Sequence, residues 1–279
     1  MIKLLTSLVT LASISYGAYY MSTKHPEALA KVTDLLYSGE FHTLEARLSV
    51  KQIMEGNKKR LLKDERHTFV DNETLYTPYL LLEIKYTRPD QTTGEGIILW
   101  DLIEGEMVIN TQGWEKTHGY ADCIKSRLSK NEFKVINLLA ERGGALDRGT
   151  LVRLLSAENE TLDKVIDSCR KKKLVVLSGN QYRLHLKSPK ISVIPETTND
   201  GDLVTKSLKN ARRLGSRFSE WQIRQLAEST FGADFAIRNT LTIYLPIYLI
   251  RVGNPDGTFH TSHWNALSGK EIPFSSMID

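Results

Sequence analysis

Two stretches of alternating apolar and polar positions lie far apart in the chain, LYTPYLLLEIKY at residues 75–86 and IYLPIYLIRVGN at 243–254. Leu80, Leu82 and Ile84 share one face of the first if it is a strand, and Tyr248, Ile250 and Val252 share the matching face of the second. Glu83 and Arg251 fall on the opposite face at equivalent positions, and both stretches carry Tyr-x-Pro (Tyr76 with Pro78, Tyr244 with Pro246). A one-residue slip would reverse every facing, so the shared order argues for an internal repeat more strongly than the identities do. Each copy continues through a Pro-Asp turn (Pro89-Asp90, Pro255-Asp256) into a second strand ending in LWDLIEGEMV, 99–108, or HWNALSGKEI, 263–272. A helical period precedes each copy. SVKQIMEGNKKRLL aligns Val50, Ile53, Met54 and Leu61, and SEWQIRQLAESTFG aligns Trp221, Ile223, Leu226 and Ala227. The terminal phrase is a structural stop: after Trp100 or Trp264, Asp101 or Asn265 bonds backbone ahead of it, and Gly105 or Gly269 takes a positive φ.

Between the copies the period changes. KNEFKVINLLAERGG places Phe133, Ile136, Leu139 and Ala140 on one helical face and stops at Gly143-Gly144. DRGTLVRLLS predicts a short helix from near Asp147, with Leu151, Leu154 and Leu155 on one side. ENETLDKVIDSCRKKK predicts a third, with Leu162, Val165, Ile166 and Cys169 as its stripe, which makes Cys169 a small buried hydrophobe. LVVLSGNQYRLHL reads as two strands joined at Ser178-Gly179-Asn180. Three helices and a hairpin over residues 129–190 resemble the winged-helix family, whose members often set the third helix into a DNA groove.

Charge changes that picture. Residues 129–190 hold thirteen Lys and Arg against seven Asp and Glu. Yet Glu158, Glu160, Asp163 and Asp167 occupy the part of the third helix that would meet phosphates, while Arg170, Lys171, Lys172 and Lys173 gather at its end, where they complement the helix dipole. That placement favours a structural or protein-binding unit. A nucleic-acid reading would rest on Lys171, Lys172, Lys173, Tyr182 and Arg183, together with Lys206, Lys209, Arg212 and Arg213 of LVTKSLKNARRLGSRF, 203–218. That run otherwise reads as the solvated face of a helix. SPKISVIPETTNDGD, ahead of it, has the composition of a linker, placed at residues 191–202.

The length of 279 residues suits two or three domains, and 41% hydrophobic with 25% charged residues is ordinary for a folded chain. A net charge of +4 is too mild to imply nucleic acid by itself. Cys123 and Cys169 lack the spacing of a zinc site or a disulfide framework. At the amino terminus Lys3 precedes an uncharged run from Leu4 to Thr23, just long enough to span a bilayer. With no small-x-small cleavage site after it, residues 1–24 are expected to be an uncleaved anchor; a secretory signal and an apolar first helix of a soluble core are the alternatives.

No Gly-rich phosphate loop, GxSxG elbow or HExxH helix occurs. GWEKTHGYADC could pair His118 with Cys123 as base and nucleophile, or form a loop between domains with Trp114 and Tyr120 packed on the first module. His260 and His263, three apart on a strand, point to opposite faces and read as surface residues, not a metal pair.

The ending Asn265-Ala266-Leu267-Ser268-Gly269-Lys270 resembles the close of PepSY-type domains, small α+β modules ending in Asp-Ala-x-Thr-Gly-Glu. The second copy has Asn and Ser for Asp and Thr, and the first keeps Asp101, Gly105 and Glu106. The resemblance implies an extracytoplasmic module that binds or restrains other proteins. The whole chain also resembles a conserved family of chlamydia-like bacteria, which implies no activity. The expectation is therefore an α+β protein: two small helix-plus-antiparallel-sheet modules (25–128 and 203–279) flanking a winged helix (129–190). Its expected role is non-enzymatic and membrane-anchored, binding another protein at sheet edges, with no cofactor, metal or small-molecule substrate. A winged-helix nucleic-acid-binding regulator is the competing expectation, and a Cys/His hydrolase the third.

Overall fold

The computed structural model describes residues 39–273 apart from 89, 157 and 233; the anchor expected at residues 1–24 lies outside them. Among the described residues no helix is long and apolar enough to cross a membrane. The fold is mixed α+β. Strand β1 (Glu40–Leu44) leads into helices α1 (Val50–Gly56) and α2 (Lys58–Leu61), then strands β2 (Thr68–Thr87), β3 (Thr93–Asp101), β4 (Met107–Asn110) and β5 (Glu115–Lys116). Helices α3 (Tyr120–Lys125) and α4 (Lys130–Glu141), strand β6 (Ala145–Asp147), helices α5 (Arg148–Leu155) and α6 (Asn159–Lys171), and strands β7 (Val175–Ser178) and β8 (Gln181–Leu184) follow. The chain continues with β9 (Leu203–Ser207), β10 (Arg212–Arg213), α7 (Glu220–Phe231), β11 (Ala236–Gly253), β12 (Phe259–Asn265) and β13 (Glu271–Ile272).

These elements form two compact units that are not contiguous in sequence. Among the described residues one draws on 39–79, 200–219 and 242–273, the other on 80–199 and 220–241. The strands β2 and β11 run through both. The first unit orders its main strands β13-β12-β11-β2, with β1 parallel to β11 and antiparallel to β9, and β10 parallel to β2. The basic run 203–218 is thus two strands and a turn, not a helix face, because Leu203–Ser207 completes a ladder with β1 from Glu40↔Ser207 to Leu44↔Leu203. Helices α1 and α2, opened by a Ser49–Gln52 capping box, lay Ile53 and Leu61 on Ile250, Val252 and Trp264. The residues TFVDNET at the start of β2 are mostly polar, yet they extend as strand; Asp71 pairs there with Arg251 of β11 at 2.7 Å.

In the second unit β2, β3, β4 and β5 are successive neighbours, and α7 buries Ile223, Leu226 and Ala227. Trp221, expected on that stripe, is instead 69% exposed. The helix ahead of each hairpin therefore belongs to the unit of the other hairpin: α1–α2 with β11–β12, α7 with β2–β3. Helices α4, α5 and α6 and the hairpin β7–β8 lie where the period predicted them, with Asp147 capping α5 and Ser129 capping α4. The short strand β6 adds to β8 and makes a three-stranded sheet, order β6-β8-β7. The stretch that reads as a linker is pinned in place. Thr197 is buried; its N–H donates to Ile97 O (2.8 Å) and its hydroxyl donates to Val108 O (2.6 Å) while accepting from Leu99 N (2.9 Å).

Candidate functional site

The two Trp-Asx turns are near copies. Asp101 Oδ1 accepts from Ile103 N (2.7 Å) and Glu104 N (2.9 Å), and Asn265 Oδ1 accepts from Leu267 N (2.8 Å) and Ser268 N (3.0 Å). Gly105 N donates to Asp101 O and Gly269 N to Asn265 O, with φ of 78° and 67°. Asp101 N to Glu106 O and Asn265 N to Lys270 O close each turn at 2.9 Å. Even the earlier hairpin turns match, since Asp90 and Asp256 both take the N–H and hydroxyl of the Thr two residues on. Trp100 and Trp264 are both fully buried at strand ends, the first 5.1 Å from the Tyr120 ring, the second under Arg60 at 5.4 Å. The Oδ1 of each Asx residue and the backbone groups of each turn bond within the turn, which is how the motif stops its strand.

One atom separates the copies. Asp101 Oδ2 receives Lys116 Nζ at 2.6 Å from β5, and Lys116 also reaches Glu104 at 2.8 Å. Burial works against ionisation of Asp101, but the Lys116 ammonium and the turn N–H groups outweigh it and hold its carboxyl below the usual range. In the second copy, Asn265 Nδ2 is buried and no described residue accepts from it.

The stretch 113–123 is not an open loop. It forms β5 and α3, and Glu106 caps the helix: its carboxylate accepts from Thr117 Oγ1 (2.7 Å), Gly119 N (2.9 Å), Ala121 N (3.1 Å) and Tyr120 N (3.3 Å). Nothing in the sequence marks this capping acid, thirteen residues from the first N–H it serves. Burial raises the pKa of Glu106, and burial together with that nearby carboxylate pushes the Cys123 thiol up to about 12. Cys123 and Cys169 are both free and buried, and burial takes Cys169 to about 12 as well. A neutral, enclosed thiol is a poor nucleophile. His118 N donates to Lys190 O at 3.2 Å, tying this segment to the following one. His263, expected at the surface, is 3% exposed, whereas His260 is exposed. Among the described residues no group of three or more His, Cys, Asp or Glu is placed to hold a metal.

The predicted basic contacts do not converge. Lys206, Arg212 and Arg213 belong to the first unit, where Arg213 lies over Phe41 and Tyr244 (5.3 and 5.2 Å), Lys206 over Tyr76 (5.9 Å), and Arg212 pairs with Glu73 (2.8 Å). Lys209 is exposed in the β9–β10 turn. In the second unit Lys172 Nζ donates to the buried Glu132 (2.7 Å), whose carboxylate also accepts from Ser129 N and Ser168 Oγ (2.6 Å each). Burial opposes that charge, yet these donors lower the Glu132 pKa to about 2. Arg148 grips Asp163 through two 2.8 Å bonds, Lys164 pairs with Glu160 and Arg170 with Asp167. Lys171, Lys173 and Arg183 stay exposed.

What the small sheet does present is an apolar edge. Among the described residues β7 pairs only with β8 and ends the sheet. It exposes Val176 (39%) and Leu177 (49%), and Leu177, Tyr182 and Leu146 form one row across the three strands. This combination of an unpaired ladder and apolar side chains is what a partner strand requires. The period marked β7 as a strand but could not mark it as terminal. A separate cleft of about 440 Å³ in the same unit, lined by Tyr86, Arg88, Asn137, Glu141, Phe231 and Asp234, mixes both charges. No protein-family model, curated protein or solved structure matches the chain.

Proposed function

We propose that the chain is a membrane-anchored, non-enzymatic protein that binds another polypeptide by strand addition at β7. The reading takes residues 129–190 as a winged-helix-like unit turned to protein contact, the two hairpins as PepSY-like, the chain as akin to the conserved family of chlamydia-like bacteria, and residues 1–24 as the anchor. The observation that carries it is the open β7 edge with Val176 and Leu177 exposed. Three pairings support it over nucleic-acid binding. Asp163 with Arg148, Glu160 with Lys164, and Lys172 with Glu132 use cations of this unit internally and leave carboxylates on α6. The buried thiols at Cys123 and Cys169 support a binding role over a hydrolase.

A photo-crosslinking residue at position 177 of the full chain, with position 164 as an exposed control, tests the proposal in cells. Polypeptide adducts from 177 alone are expected, and Val175→Pro, with the fold checked by circular dichroism, should abolish them: His185 N donates to Leu174 O, so along the alternating ladder Val176 N–H faces β8 and Val175 N–H faces the open edge. Absence of protein adducts, or nucleic-acid adducts weakened by salt, would overturn it and favour the regulator.

A further inference from the structure

Residues 203–218 carry five cations, Lys206, Lys209, Arg212, Arg213 and Arg217, and no acid. The fold gathers the first four on β9, on β10 and in the turn between them, all within the first unit. Aromatic rings hold two of them in place. Phe41 meets Tyr76 and Tyr244 edge to face at 5.0 and 5.3 Å; Arg213 lies over Phe41 and Tyr244, and Lys206 over Tyr76. Glu73 pairs with Arg212, and Glu40 lies opposite Ser207, while Lys206 and Lys209 are exposed. The positive excess is therefore displayed from paired strands and from the short turn that joins them.

That turn also holds the chain where it enters the unit. Leu208 N donates to Gly39 O at 2.7 Å, and β1 runs on from there along β9. Only residues 25–38 separate Gly39 from the anchor proposed at 1–24. At about 3.5 Å per residue they allow at most about 50 Å between the turn and a bilayer. Under such a tether weak contacts suffice, and each Lys or Arg beside an anionic leaflet strengthens attachment about fivefold.

We infer that the β9–β10 turn docks the first unit on anionic lipid headgroups of the membrane that holds the anchor, with Lys206 and Lys209 meeting the phosphates. The inference rests on the proposed anchor. A lipid surface is favoured over nucleic acid because the tether ends at this turn and brings it to the bilayer.

The full chain, dansyl-labelled at Thr205→Cys, is placed in phosphatidylcholine nanodiscs with or without phosphatidylglycerol, each containing a nitroxide-headgroup lipid as quencher. Thr205 is exposed on β9, and Cys123 and Cys169 are buried, so the label reaches one site. Quenching should be about twofold or more greater with phosphatidylglycerol. High salt, or Lys206→Glu combined with Lys209→Glu, should return it to the phosphatidylcholine level. Circular dichroism checks the fold of that variant, and the salt response of the unreversed chain decides the matter if it does not fold. Equal quenching in both lipids by a chain that co-elutes with the discs would overturn the inference and leave the anchor standing. Equal quenching with salt-sensitive binding of duplex DNA would assign the cations to the regulator instead. A chain that enters neither disc would overturn the anchor, and the inference with it. None of these results depends on Val176 or Leu177, so the β7 proposal is judged separately.

Discussion

Lys172→Met separates a structural from a nucleic-acid role for the residue most plainly basic by sequence. In the fold its ammonium is one of three donors to Glu132, a buried carboxylate that also caps α4. Lowering the Glu132 pKa from 4.5 to about 2 corresponds to about 3 kcal/mol of stability at neutral pH. Removing Lys172 leaves the two neutral donors and an unbalanced charge, so a loss of about 2–3 kcal/mol at pH 7 is expected. Because the folded pKa lies below the unfolded one, this stability is complete above about pH 4.5 and drains as pH falls toward about 2. The wild-type to variant difference should therefore shrink by about half at pH 3. Urea unfolding at both pH values, followed by far-UV circular dichroism, reads it. A difference below about 0.5 kcal/mol at pH 7, the size expected of a surface change, or one that does not change with pH, would refute the reasoning.

Lys116→Met strands the buried Asp101 and should cost about 3 kcal/mol, while Asp101→Asn added to it should recover part of that loss, as measured by urea unfolding. Gly269→Ala should cost more than about 1 kcal/mol in urea unfolding, because its φ is positive and a Cβ there meets Leu48 Cδ1 at 2.7 Å. At pH 7.5 neither cysteine of the native protein should react with a thiol reagent within the time the unfolded chain takes to react fully, because both thiols are buried with pKa values near 12.

The sequence carried strand facing, turn chemistry and helix periods, because these are local: Leu80, Leu82 and Ile84 are buried as alternation required, and Asp147 caps α5. It did not carry partnership. The stripe Ile53–Leu61 fits either hairpin, since both present the same inward order, and only tertiary contact assigns it to Trp264. Lys206 and Arg213 fall in strands because β1 offers β9 a ladder that no local signal announces. Of the candidate sites, the hairpin β7–β8 was legible as strands, but that β7 ends its sheet among the described residues depends on which strands lie beside it, which no local signal records.

The account rests most directly on the exchange of helices between two copies of one hairpin. Double-mutant cycles pairing Ile53→Ala with Trp264→Phe, and Ile53→Ala with Trp100→Phe, measure it through equilibrium unfolding. A coupling of about 1 kcal/mol between Ile53 and Trp264, with additivity within about 0.4 kcal/mol for Ile53 and Trp100, is predicted. Coupling of Ile53 to Trp100, the tryptophan of the hairpin that follows it in sequence, with none to Trp264, would contradict the account.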